Sequence, residues 1–120
     1  MNMPRLYRRF SIFLPPLLPL PVSSLRVFIM QESTPTAGQP HTFTCTVTPQ
    51  GELTGTPTVQ WIYPIAVGRN FTISSTPPFT FTINALHQSQ DGQYTCQATL
   101  GSVSGTGSAT LHVEGDWYLH

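Results

Sequence analysis

The amino-acid sequence predicts an all-β domain, an antiparallel sandwich or barrel of about seven short strands. Three observations carry that prediction. Apolar and polar residues alternate with period two in several segments. Proline and glycine clusters interrupt those segments at short intervals. Helical spacing of apolar residues is scarce. A chain of 120 residues without an internal repeat is enough for one such domain and too short for two.

Val27 and Ile29 open the series of strands. Within residues 41–48, Phe43, Cys45 and Val47 point one way, and Thr42, Thr44, Thr46 and Thr48 point the other. Threonine suits the wet face because its β-branched side chain fits an extended backbone. Val59 and Trp61 share a face, and Phe71 and Ile73 form a shorter pair. Residues 79–83 repeat the apolar–threonine alternation through Phe79, Phe81 and Ile83. Tyr94, Cys96 and Ala98 share the next face, and Ala109, Leu111 and Val113 close the series. Turns are expected at residues 35–40, 49–57, Gly68, Pro77-Pro78, Asp91-Gly92 and 101–107. The last of these, rich in glycine, reads as a flexible hairpin.

The N-terminus has a different composition. Arg5, Arg8 and Arg9 precede an apolar run over residues 10–22, which is followed by Ser23 and Ser24. Basic, apolar, then small is the order of a secretory signal peptide. Pro15, Pro16, Pro19 and Pro21 oppose a helix there, so a Pro-rich tail is the alternative. The run is shorter than the roughly 20 residues needed to span a bilayer, and no later stretch is apolar enough to do so. The expected organisation is a separable segment at 1–24, a domain at 25–114, and a tail or linker start at 115–120.

Charged residues make up only 8% of the chain, against about 25% in an average soluble domain. Threonine, serine, glutamine and glycine supply the polar surface. The abundance of aromatic and β-branched residues argues against disorder. With a formal net charge of zero, no general attraction to nucleic acid or an anionic membrane is expected. The two cysteines are open to two readings, a disulfide in an exported chain or reduced thiols in the cytosol.

Cys45, Trp61 and the segment Gln90-Asp91-Gly92-Gln93-Tyr94-Thr95-Cys96 resemble the immunoglobulin superfamily over roughly residues 25 to 114. The resemblance implies an immunoglobulin-like β-sandwich with one inter-sheet disulfide, Cys45 to Cys96, and Trp61 packed on it. Trp61 follows Cys45 by 16 residues, and Cys96 follows Trp61 by 35. The second interval leaves little room for an extra C″ strand, which points to an I-type or C2-type domain of about seven to eight strands. Tyr94, two residues before Cys96, occupies the position of a tyrosine corner, with Leu86 ahead of the turn. Such a disulfide would contribute on the order of 4 kcal/mol through loop closure.

One position departs from the family pattern. An aspartate is expected four residues before the tyrosine, where it commonly pairs with an arginine opening strand D. Here Gln90 stands at that place and Asp91 is displaced by one, with Arg69 where the arginine would fall. Arg69 is then either bonded weakly to the Gln90 amide or left to solvent.

No constellation for catalysis, redox chemistry or cofactor binding is present. His41, His87, His112 and His120 lack the spacing of a zinc site. No serine sits in a nucleophile elbow, and no glycine loop is placed to cradle phosphate. Asn70-Phe71-Thr72 is an acceptor motif for an N-linked glycan. Protein partners are expected on the loops, including residues 49–57 and Gly101, Ser102, Val103 and Ser104, or on the apolar stretch after Trp61. Within that stretch Ile62, Tyr63, Ile65 and Val67 form an exposed patch, or Ile65 and Val67 are tucked under the C–D connection. The expected function is an extracellular recognition or adhesion module, secreted or at the cell surface, whose protein partner could include a second copy. A structural spacer within a larger receptor or matrix protein is the alternative.

Overall fold

The computed structural model describes residues 23–32 and 34–115. The expected export signal, apart from Ser23 and Ser24, and residues 116–120 of the tail lie outside the described residues. Seven strands follow in chain order: β1 (Ser24–Gln31), β2 (His41–Gln50), β3 (Thr58–Ile62), β4 (Phe71–Ser74), β5 (Phe79–Ile83), β6 (Gly92–Leu100) and β7 (Val103–Leu111). They build two antiparallel sheets, in the orders β1-β2-β5-β4 and β3-β6-β7. Short 3-10 turns at Ile65–Val67 and Gln88–Gln90 complete the connections.

The alternation read from the sequence sets which face is buried. Phe43 and Cys45 on β2, Phe79, Phe81 and Ile83 on β5, and Tyr94, Cys96 and Ala98 on β6 all face inward and are buried. The Cys45–Cys96 disulfide joins the two sheets. Trp61 lies directly opposite Cys96 in the β3–β6 register, and Phe79 lies opposite Cys45 in the β2–β5 register. Aromatic rings fill the space between. Phe43 stacks on Tyr94 at 4.6 Å, Phe71 on Phe81 at 5.0 Å, and Trp61 tilts against Phe81 at 5.3 Å. Such pairs contribute about 0.5–1.5 kcal/mol each beyond burial of their area. The Tyr94 hydroxyl donates to the Gln90 carbonyl at 2.7 Å, which forms the expected corner.

Strand ends differ from the expectation in two places. First, β1 begins at Ser24, paired with Gln50, and Leu25 is buried. Strand β2 runs on to Gln50 through Pro49, because β5 has ended by Cys45 and only β1 lies beside it there. An absent N–H is tolerated at such an edge.

Second, residues 101–107 are not a flexible hairpin. Leu100 pairs with Val103, so Gly101 and Ser102 alone make the turn and β7 continues through Gly105 and Gly107. Both glycines face β1, whose backbone crosses them closely. A Cβ on Gly105 would stand 2.7 Å from the Leu25 carbonyl oxygen, and one on Gly107 2.7 Å from the Val27 carbonyl oxygen. These glycines permit close approach of two strands rather than a loose loop.

Near the same edge, His41 is 2% exposed. Its Nε2 lies 2.8 Å from Gln31 Oε1, and Gln31 Nε2 donates to the Thr110 carbonyl at 3.1 Å, so the relay links β2, β1 and β7. His41 Nδ1 is buried without a partner among the described residues. Burial holds the imidazole below its ordinary pKa, against the opposing pull of the Glu32 carboxylate.

Two outcomes follow. Gly107→Ala should cost about 1–3 kcal/mol of stability through overpacking, read as a lower urea midpoint at unchanged slope; an unchanged midpoint would mean that β1 does not lie on β7. His41 binds a proton more readily unfolded than folded, so stability is full above about pH 6.5 and falls as pH drops through the folded-state value. Urea midpoints measured between about pH 7.5 and pH 5 should decline on acidification, and His41→Gln should flatten that slope.

Candidate interaction surfaces

The sandwich has two ends with different chemistry. One end carries the β2–β3 loop, the β4–β5 turn with Pro77 and Pro78, and the two-residue turn Gly101-Ser102. Gly55 of the β2–β3 loop lies against the Leu100 side chain, with its Cβ position 3.5 Å from Leu100 Cδ1. The opposite end gathers the β1–β2, β3–β4 and β5–β6 connections and the exit from β7. There the Gly38 N–H donates to the Leu86 carbonyl, the Leu86 N–H to the Gln39 carbonyl, and the Ala37 N–H to the Glu114 carbonyl, at 2.8–3.0 Å. A parallel bridge between Thr36 and Glu114 ties the same corner.

The expected partner-binding residues therefore fall into two separate groups. Gly101, Ser102, Val103 and Ser104 sit at the first end, with Val103 and Ser104 already in β7. Tyr63, Ile65 and Val67 sit at the second. Strands of eight to ten residues separate the groups, roughly 30 Å of extended chain. No single partner contact is built from both groups locally.

Within the second group the two readings divide residue by residue. The 3-10 turn Ile65–Val67 is closed by the Val67 N–H bonding the Pro64 carbonyl, and Gly68 ends it at φ +59°. Its geometry turns Val67 into the core, 2% exposed, and leaves Ile65 outside, 95% exposed. Val67 is thus a core residue and cannot touch a partner. Tyr63 is half-buried, with its ring 4.9 Å from Phe81 and 5.1 Å from Phe71. Ile65 is the member free for contact, and Ile62 on the outer face of β3 is also exposed.

Asn70 lies at the same end. Its backbone carbonyl accepts from the Asn84 N–H, and its Nδ2 donates to the Ala85 carbonyl at 2.7 Å. One amide hydrogen makes that bond and the other is available for substitution, so an N-linked glycan is compatible with the contact.

Of the two arrangements expected at Gln90, the one that leaves Arg69 to solvent is found. Gln90 is buried, and its Oε1 accepts from the His87 N–H at 2.8 Å, while His87 Nδ1 accepts from the Ser89 N–H at 3.0 Å. The amide is used as a reciprocal cap of its own turn, and Arg69 is exposed. Asp91 takes another role. Its Oδ1 accepts from the Val113 N–H at 2.7 Å, and its Oδ2 lies 3.1 Å from Nδ1 of the exposed His112. The carboxylate displaced by one residue thus anchors the exit of β7 to the β5–β6 turn. Burial, aided by the Asp91 charge, raises the pKa of the Tyr94 hydroxyl and keeps it a neutral donor.

Sequence reasoning missed exposed Phe28 and Met30, on the outer face of β1, and Ile73 at the β4 edge. Phe28 and Met30 lie in the run Val27-Phe28-Ile29-Met30, where every residue is apolar and alternation cannot assign a face. Among the described residues there is no enclosed pocket and no group of three metal-ligating side chains. None of their helices is long and apolar enough to cross a membrane.

A family model for the immunoglobulin I-set domain matches residues 27–113. No curated protein sequence matches the chain. Among solved structures, titin domain M7 is 22% identical at a TM-score of 0.59, covering 79% of this chain and 99% of that one. Titin domains z1z2 in complex with telethonin give 22% identity and a TM-score of 0.62, covering 80% of this chain and 50% of that one. The Dscam1 Ig7 domain is 21% identical at a TM-score of 0.55, covering 76% and 99%. At such identities the structural likeness shows the fold, while the family match spans strands β1 to β7. The two sheets, their disulfide and the tyrosine corner are those of the immunoglobulin I-set, and the chain belongs to that family.

Proposed function

We propose that the domain is a non-catalytic protein-recognition module acting on the extracellular side, secreted or at a cell surface. The observation that carries this reading is the apolar stretch after Trp61, in which Ile62 and Ile65 are exposed and Tyr63 is half-buried. The buried Cys45–Cys96 bond supports the compartment, since a bond of this kind persists in oxidising surroundings. The basic, apolar and small residues of the N-terminus support export. A titin relative solved with telethonin supports protein binding by an immunoglobulin-type domain. Asn70, beside the same end, would carry a glycan bordering the contact.

A second reading, a spacer within a larger receptor or matrix protein, is favoured by the path of the chain. The domain begins at Ser24, beside Gln50 at one end, and leaves past Glu114 at the other. Copies strung in series would therefore stack end to end. A three-domain titin structure matches with this chain covering 33% of its length.

Expression of the full chain in a secreting eukaryotic cell tests both readings. Recognition predicts release into the medium, a mass loss on glycosidase treatment that disappears in Asn70→Gln, and binding to a panel of purified ectodomains. Ile65→Asp should weaken the selected ectodomain at least tenfold without lowering the melting temperature. Retention in the cytosol with free thiols would overturn the extracellular reading. Binding indifferent to Ile65→Asp and to Ser102→Arg would leave the spacer reading in place.

A further inference from the structure

We infer that the free edge of β3 is a self-pairing surface, through which two copies join antiparallel about Gln60 into one six-stranded sheet. The inference is independent of the heterologous partner proposed above. It begins from the four strand edges, because an unpaired edge templates another strand unless something guards it.

Three of the four are guarded. The backbone of β1 rests on Gly105 and Gly107 of β7, and the strand carries Arg26 and is followed by Glu32. Strand β7 is met by that same backbone, and residues 35–37 bond Glu114 just beyond its end. Strand β4 also lacks charge, proline and glycine, but it is shorter, with four residues, and directly follows Asn70 and the charged, exposed Arg69. Strand β3 is different. Thr58, Val59, Gln60, Trp61 and Ile62 contain no charge, proline or glycine, and all five pair with β6 on one side. No described strand lies on the other side.

The outer face next to that edge is complementary to a copy of itself. Across the sheet run the rows Thr58–Thr99–Ser104, Gln60–Gln97–Thr106 and Ile62–Thr95–Ser108, without a charged residue. On a dyad through Gln60, Gln60 meets Gln60 of the second copy and the row extends from Gln97 to Gln97. An amide both donates and accepts, so like can satisfy like, as two lysines or two glutamates could not. The same dyad sets Thr58 opposite Ile62 twice, placing a methyl-bearing side chain over an isoleucine that is 53% exposed in the monomer. A net charge of zero adds no long-range repulsion between copies. Isologous pairing of this kind closes at two copies and does not propagate.

A five-residue strand pair belongs to the small class of interfaces, so the dimer should be weak in dilute solution and strengthened where copies are tethered together. Sedimentation equilibrium of the full chain from about 1 μM to 1 mM should show mass moving from monomer to dimer. Gln60→Lys and Gln60→Glu should each weaken the dimer at least tenfold by setting like charges on the dyad, and an equimolar mixture of the two should restore it. Should either variant fail to fold, amide exchange of the unsubstituted chain replaces it, with residues 58–62 gaining protection as concentration rises. A monomer throughout, a dimer indifferent to both substitutions, a dimer abolished by Ile65→Asp instead, or exchange at 58–62 independent of concentration would each overturn the inference.

Discussion

The bond between Cys45 and Cys96 sets the distance and register at which the two sheets meet. Each cysteine sits on an interior strand of its sheet, β2 and β6, so the link passes through the centre of the core rather than along its rim. Side chains in register with the two sulfurs are large and aromatic. Trp61 stands beside Cys96 and Phe79 beside Cys45, and Phe81, Phe43 and Tyr94 fill the layers next to them. Tyr94 extends this order to the surface turn, because its ring is fixed in the core while its hydroxyl holds the Gln90 carbonyl. Gln90 in turn caps the backbone at His87, and Asp91 holds the exit of β7. A single covalent crossing thus organises both the core and the end of the sandwich where Ile65 and Asn70 lie.

Each of the seven strands is at least partly legible in the sequence, through a period-two imprint clearest in residues 41–48 and 79–83, but the face of β1 and the first half of β7 are not. Features that depend on a neighbouring strand were not legible. Gly105 and Gly107 carry the composition of a loop, and only the passage of β1 above them explains why glycine is needed inside a strand. Ile65 and Val67 looked equivalent, two residues apart, yet a 3-10 turn sends one outward and one inward. The displacement of Asp91 was visible, but its role required knowing that Val113 returns beside the β5–β6 turn. For the candidate surface, the sequence supplied an apolar stretch after Trp61, and the fold reduced it to Ile65 with Ile62 on the adjoining strand.

The scarcity of charge has a structural counterpart in where the charges lie. The outer face of the β3-β6-β7 sheet is threonine, serine and glutamine with Ile62, and β2 and β5 turn threonines outward on the other sheet. Thr42 and Thr82 bond each other across β2 and β5, and Thr95 and Ser108 do so across β6 and β7. The hydroxyls therefore satisfy one another in part, and the β-branched threonines also favour the strand. Any contact on such faces would rest on shape and hydrogen bonding, since they carry little charge.

The opposite placement of chain entry and exit has a mechanical consequence. Tension applied between Ser24 and Glu114 would act along the strands, loading the β1–β2 ladder and the bridge between Thr36 and Glu114 in shear. If those contacts yield, the covalent crossing confines extension to the chain outside it, residues 24–45 and 96–114. The intervening segment, which contains β3, β4 and β5, stays closed as a loop. An oxidised domain is thus a short tether that stops abruptly, whereas its reduced form would unravel over its full contour. In this architecture the redox state of one cysteine pair sets the reach of the chain under load.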